Sequence, residues 1–147
     1  MNILTQIIAA EEDEVEAIGD SLNPTELWSG IGLRDMTIAR IAMLHSVLTG
    51  ELFEDAAAQC EPVYVSPAEG ALVLRLADEL MARLVALDDE RLDAVAAELT
   101  ATEAFETAGW DEEEVAGMLA DLAELAQLAE SQGQVLFAWL HPVGNAE

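Results

Sequence analysis

The stretch from Gly133 to Pro142, GQVLFAWLHP, constrains the fold more than any other part of the chain. Its unbroken apolar run, Val135 to Leu140, is short and bounded by a glycine and a proline, as a strand is. In an extended chain Val135, Phe137 and Trp139 point one way, and Leu136, Ala138 and Leu140 the other. Both sets are apolar, so both faces need cover, and the strand belongs in the middle of a sheet. His141 continues the Val135–Phe137–Trp139 face just beyond the strand, and Pro142 stops the ladder.

Two other stretches read as companions: the isoleucine-rich NILTQIIA near 3–8 and Val63-Tyr64-Val65. Most of what remains is helical. Residues 10–19 read as a helix with an acidic first turn, as the helix dipole prefers. Asn23, Pro24 and Glu26 look like a helix start, with Leu22 and Leu27 in staple positions and Gly30 and Gly32 ending it early. In DMTIARIAMLHSVLTG, Ile38, Ile41, Leu44 and Leu48 form one stripe, and Gly50 closes the helix. A turn or two of helix follows at 51–59. Ser66-Pro67-Ala68-Glu69 has the form of a capping box, which predicts a helix from Pro67 to about Ala86 burying Leu72, Val73, Leu76, Leu80 and Leu84. Asp88 caps a further helix. The last helix begins at Asp111 with Glu114 at N3, lets Trp110 staple onto Val115, turns Val115, Met118, Leu119, Leu122 and Leu125 inward, and stops at Gly133.

The expected fold is therefore α+β and mostly helical. A single domain over 1–147 has about five or six helices packed on a small sheet of about three short strands, near 3–8, 63–65 and 134–140. A chain of 147 residues buries enough surface for a real core.

Charge narrows the function. Thirty acids face five basic residues, all arginine, for a formal net charge of −25. Such a surface repels phosphate backbones and anionic lipid heads, so nucleic-acid and membrane binding are excluded as expectations. It serves solubility, or it serves a basic protein partner. The lone Cys60 permits no internal disulfide, which fits a reducing cytoplasm, and the start MNILTQIIAAEEDE lacks the basic region of a signal peptide.

The order of features resembles the YfbM-like bacterial family, whose members have no agreed activity. MLHSVLTGE resembles that family's Leu-His helix end, YVSPAEGALVLRLADEL its strand, cap and helix, and GWDEEEVAGMLADLAELAQLAESQGQVLFAWL its Trp-led acidic helix and closing strand. The resemblance spans most of the chain and implies a fold more than a function. The family's helix often carries an Asp-Lys pair, a Trp and a His, where this chain has Ile38, Ala39, Ile41 and Ala42, and only His45 remains. Any site those polar residues served in relatives is in doubt here. The segment before Tyr64 is also short for the family.

Candidate chemistry is sparse. His45, on the inner stripe, reads as a general base or as a core histidine with a satisfied hydrogen bond; no nucleophile or acid pairs with it by spacing. His141 reads as a functional side chain at a strand end or as part of a stop. Trp28, beside a glycine-rich turn, offers a partner an anchor or fills core, and Trp139 reads as core. His45, His141, Trp28 and Trp139 are thus the candidate pocket or interface residues. No catalytic residue, metal site or cofactor is expected. Two histidines make no metal site, and adjacent helical acids such as Glu11–Glu14 and Asp111–Glu114 do not converge. Acidic neighbours keep Cys60 from being a nucleophile. No phosphate-loop, dinucleotide or nucleophile-elbow motif occurs.

Three functions follow as expectations. The favoured one is a non-enzymatic interaction module whose acidic surface engages a basic protein, as an antitoxin or immunity-type inhibitor would. The second is an enzyme or small-ligand binder with a pocket near His45 and the strand ends. The third is a homodimer through the apolar helix VLRLADELMARLVAL.

Overall fold

The computed structural model describes residues 2–21, 23–34, 36–67, 70–107 and 109–143, with the side chains of 2–4, 34, 142 and 143 left aside. The strands are β1 (Asn2–Ala10), β2 (Ser29–Arg34), β3 (Pro62–Val65), β4 (Leu72–Arg75) and β5 (Val135–Val143). They form one antiparallel sheet in the order β2-β1-β5-β4-β3. The helices are α1 (Val15–Asp20), α2 (Ile38–Thr49), α3 (Phe53–Ala58), α4 (Asp78–Val85), α5 (Asp89–Thr100), α6 (Glu103–Glu106) and α7 (Glu112–Ser131). The protein is α+β with a helical majority, and none of its described helices is long and apolar enough to cross a membrane.

β5 is the middle strand, between β1 and β4. Its alternation separates two cores. Leu136, Ala138 and Leu140 join the large cluster with α2, α4, α5 and α7, while Phe137 and Trp139 join a smaller one with Ile8, Ile18 and Val73. The large core holds the inner stripes of α2 and α7, so a thick helical layer covers that face of the sheet. On the opposite face α1 packs against β3, β4 and β5.

Helix ends follow their caps. Thr37 Oγ1 accepts from Arg40 N at 3.3 Å, and Gly50 closes α2 at φ 80°. Asp88 Oδ1 accepts from Arg91 N at 2.8 Å. At α7 the capping box is reciprocal: Glu114 N donates to Asp111 Oδ1 at 2.8 Å, and Asp111 N donates to Glu114 Oε1 at 3.3 Å. Trp110 is buried in the same cluster as Val115 and meets Phe105 of α6 edge-on at 5.8 Å between ring centroids.

The sheet has five strands where three were expected, and both additions have a physical cause. The first corrects the helix expected from Pro67. Residues 71–76 alternate: Ala71 and Val73 enter the small core, while Leu72, Leu74 and Leu76 face the large one. The leucine spacing that fits a helix fits this two-residue period as well, and pairing with the two-sided β5 decides for the strand. Between β3 and β4, Ser66 N donates to Ala71 O and Gly70 N to Ser66 O, both at 2.9 Å, with Gly70 at φ 75°. Ala68 and Glu69 of the expected capping box lie outside the described residues. The helix is reduced to α4, which buries Leu80 and Leu84 in the chain's own core.

The second correction concerns residues 23–34. The helix expected at Pro24 is one 3-10 turn, Pro24–Glu26. Asn23 Oδ1 does not cap it; it accepts instead from Gln6 Nε2 and Thr25 Oγ1, each at 2.9 Å. Leu22 lies outside the described residues. β2 then runs through Gly30 and Gly32, which read as breakers only because the sequence does not show the partner strand. α6 was also not expected; the full burial of Phe105 accounts for it.

Candidate functional site

α2 carries His45 inward. It is 2 % exposed, and its Nε2 lies 3.1 Å from Glu51 Oε2. Gln59 Nε2 donates to the other Glu51 oxygen at 2.7 Å, so the carboxylate ties α2 to the end of α3. The hydrogen bond from His45 holds the Glu51 carboxyl below its usual value. This is the geometry of a core histidine with its bond satisfied.

His141 is half-buried and stacks on Trp139, with ring centroids 5.5 Å apart and planes inclined by 30°. Trp139 is 1 % exposed, and its indole N–H has no hydrogen-bond partner among the described residues. Trp28 packs on the same small core and donates from Nε1 to Glu14 Oε2 at 3.1 Å. The structure therefore gathers Trp28, Trp139 and His141 on the thinly covered face of the sheet. His45 sits in the helical layer behind the other face, so the two histidines do not converge.

The acidic run at Glu11–Glu14 is used locally. Glu11 N donates to Glu14 Oε1 at 2.9 Å, and Glu12 lies 3.0 Å from the Arg75 guanidinium, which also reaches Asp78 at 3.0 Å. Among the described residues no group of three or more His, Cys, Asp or Glu could hold a metal.

Cys60 donates its thiol to Ala56 O at 3.4 Å, and burial pushes its pKa up. Tyr64 donates to Asp20 Oδ1 at 2.8 Å, a bond that pushes the phenol up as well, with burial adding to it. Both groups are favoured in their neutral forms. Their contribution is complete below the ordinary values of 9.0 and 10.0 and is lost as pH rises through the higher folded values. The chain has no lysine, one cysteine and one tyrosine, so these are the only side chains titrating between about pH 8 and 11. Urea midpoints will hold steady to about pH 8 and fall as pH climbs toward 11. Cys60→Ala with Tyr64→Phe will flatten that limb; an unchanged slope in the double variant refutes the assignment.

The surface feature that sequence reasoning missed lies between β2 and α7. Two grooves, of about 460 Å³ and 330 Å³, meet at Asp121. The first runs beside Ser29, Gly30 and Ile31 under Glu124, Leu125 and Leu128; the second beside Gly32 and Leu33 under Trp110, Glu114 and Met118. Ile31, Leu33, Met118, Leu125 and Leu128 supply the apolar part of the lining, and Glu114, Asp121 and Glu124 supply an acidic part. One signal was in the sequence: Asp121 and Glu124 fall outside the apolar face of their helix. Their neighbour β2 was not legible, so the groove was not.

Comparisons with protein-family models, with curated proteins and with solved structures found no match. The YfbM-like resemblance rests on the quoted motifs alone.

Proposed function

We propose that this protein is a non-enzymatic interaction module that binds a basic protein partner, in the manner of an antitoxin or immunity-type inhibitor. One observation carries the reading: thirty acids against five arginines, with little internal neutralisation. Arg75 and Arg83 engage Glu12, Asp78 and Glu79, and five arginines cannot neutralise thirty acids. Runs such as Glu112–Glu114, and Asp121, Glu124 and Glu130 farther along α7, stand exposed. A field of one sign attracts a basic surface from beyond contact distance and raises the association rate, an effect that salt screens within about 10 Å.

Tagged protein incubated with lysate of its source cells, washed at low and then high salt, tests this. A stoichiometric basic protein retained only through the low-salt wash is the expected result, with a purified-pair affinity that falls steeply with salt. An empty lane at low ionic strength overturns the proposal.

A further inference from the structure

Resting on that reading, we infer that an extended basic segment of the partner adds as a sixth strand to the outer edge of β2, with its arginine or lysine side chains lying in the groove beneath α7.

The two edges of the sheet differ. β3, at one end, is short, begins with Pro62 and breaks register between Pro62 and Tyr64. Proline, brevity and a bulge are the usual guards against pairing with another chain. β2, at the other end, has none of them: six residues pair with β1 in unbroken register from Leu4↔Arg34 to Ala9↔Ser29. No described strand lies on its outer side, so backbone N–H and C=O groups there present a template for strand addition.

The groove is open along that edge. A Cβ added at Gly117, on the α7 wall, would meet nothing within 4 Å.

The lining selects the occupant. Side chains of an added strand point alternately to the two faces of the sheet. Every second one falls on the side of Ile31 and Leu33, toward α7. There Leu125 and Leu128 offer apolar wall, with Asp121 and Glu124 beside them. A long basic side chain suits both, laying its methylenes on the leucines and its charge on the carboxylates. A second copy of this chain fits badly, because it brings another −25 of charge and the same acidic row.

The probe is a peptide of alternating arginine and threonine matched in length to β2, titrated at low salt and followed by backbone amide shifts. Binding is expected, with the largest shifts from Ser29 to Leu33. Strand addition uses only every second amide of the incoming strand. N-methylation of one alternate set will therefore abolish binding, while methylation of the other set will be tolerated. Asp121→Lys with Glu124→Lys should weaken binding about tenfold or more, whereas Glu16→Lys with Glu61→Lys, the same change of net charge near the opposite edge, should weaken it far less. Gly117→Leu, whose added Cβ meets nothing within 4 Å and which gains helix propensity, should fold normally and block the groove.

Peptide binding that both charge pairs weaken equally, or that both methylation sets tolerate, overturns strand addition at β2 and leaves acid-steered association standing. Absence of peptide binding, while a lysate partner is still retained, likewise removes this site alone. No binding of either kind overturns both readings. A dimer in solution with protected β2 amides overturns the inference by assigning the edge to a second copy.

Discussion

Phe137→Ala should cost about 3–5 kcal/mol of stability. Phe137 is 1 % exposed on the middle strand of the sheet, opposite Ile8 on β1 and Arg75 on β4. It anchors the small core, whose other large members are Trp139, Ile8 and Ile18. The loss combines the transfer term of the removed ring with that of the cavity left behind. The cavity closes poorly, because sheet neighbours on both sides hold the strand in place and the short α1 is the helix packed over that face. For a domain of this size the melting temperature should fall by roughly 10 °C or more. Phe137→Leu, which keeps most of the volume, should recover much of the loss. Leu128→Ala, at 36 % exposure on α7, should cost far less. A Phe137→Ala protein that melts with the parent would mean that the small core contributes little, and that the two-sided character of β5 does not determine the fold.

That two-sided character is also what the sequence showed best. Val135 to Leu140 announced a middle strand because no other placement covers both of its faces. The caps of α5 and α7 and the glycine that closes α2 were equally legible, since these are local signals within a few residues of each helix end. What was not legible depends on partners distant in sequence. Leu72, Leu74 and Leu76 have spacings that suit a helix or a strand; the pairing of Leu72 with Leu140 and Leu74 with Ala138 decides between them. Gly30 and Gly32 stop a helix in any local reading, yet beside β1 they belong to a strand. The groove disappears from a sequence reading for the same reason: one wall is α7, which was expected, and the other is β2, which was not. Of the candidate residues, Trp28, Trp139 and His141 are brought to one face by the strand alternation and by the contact of Trp28 with the small core, while His45 was placed inward by its helical stripe. The acids Asp121 and Glu124 were visible only as the outside of a helix, because what they look onto comes from some ninety residues earlier in the chain.

β2 also supplies the second large effect, a pair of substitutions expected to act in opposite directions. A Cβ at Gly30 would stand 2.6 Å from the Ile7 carbonyl oxygen and 2.6 Å from Ile8 Cδ1. The methyl of Ile8 can rotate away, but the carbonyl belongs to the backbone of β1 and is held by its place in the sheet. Gly30→Ala must therefore push the two strands apart locally, at a cost of about 1–3 kcal/mol. Gly32 lies two residues along the same strand and on the same face, and its added Cβ meets nothing within 4 Å. Its φ is not positive, so alanine there brings no left-handed strain. Gly32→Ala should gain about 0.4–1 kcal/mol by restricting the unfolded chain. Urea midpoints of the two variants on the same parent will show the split. The contrast tests the register directly: a slip of β2 by two residues would bring Gly32 to the position beside Ile7 and Ile8 and reverse the two signs. Equal effects in both variants would mean that β2 does not pack against β1 as described, and the groove beside it would then have no wall.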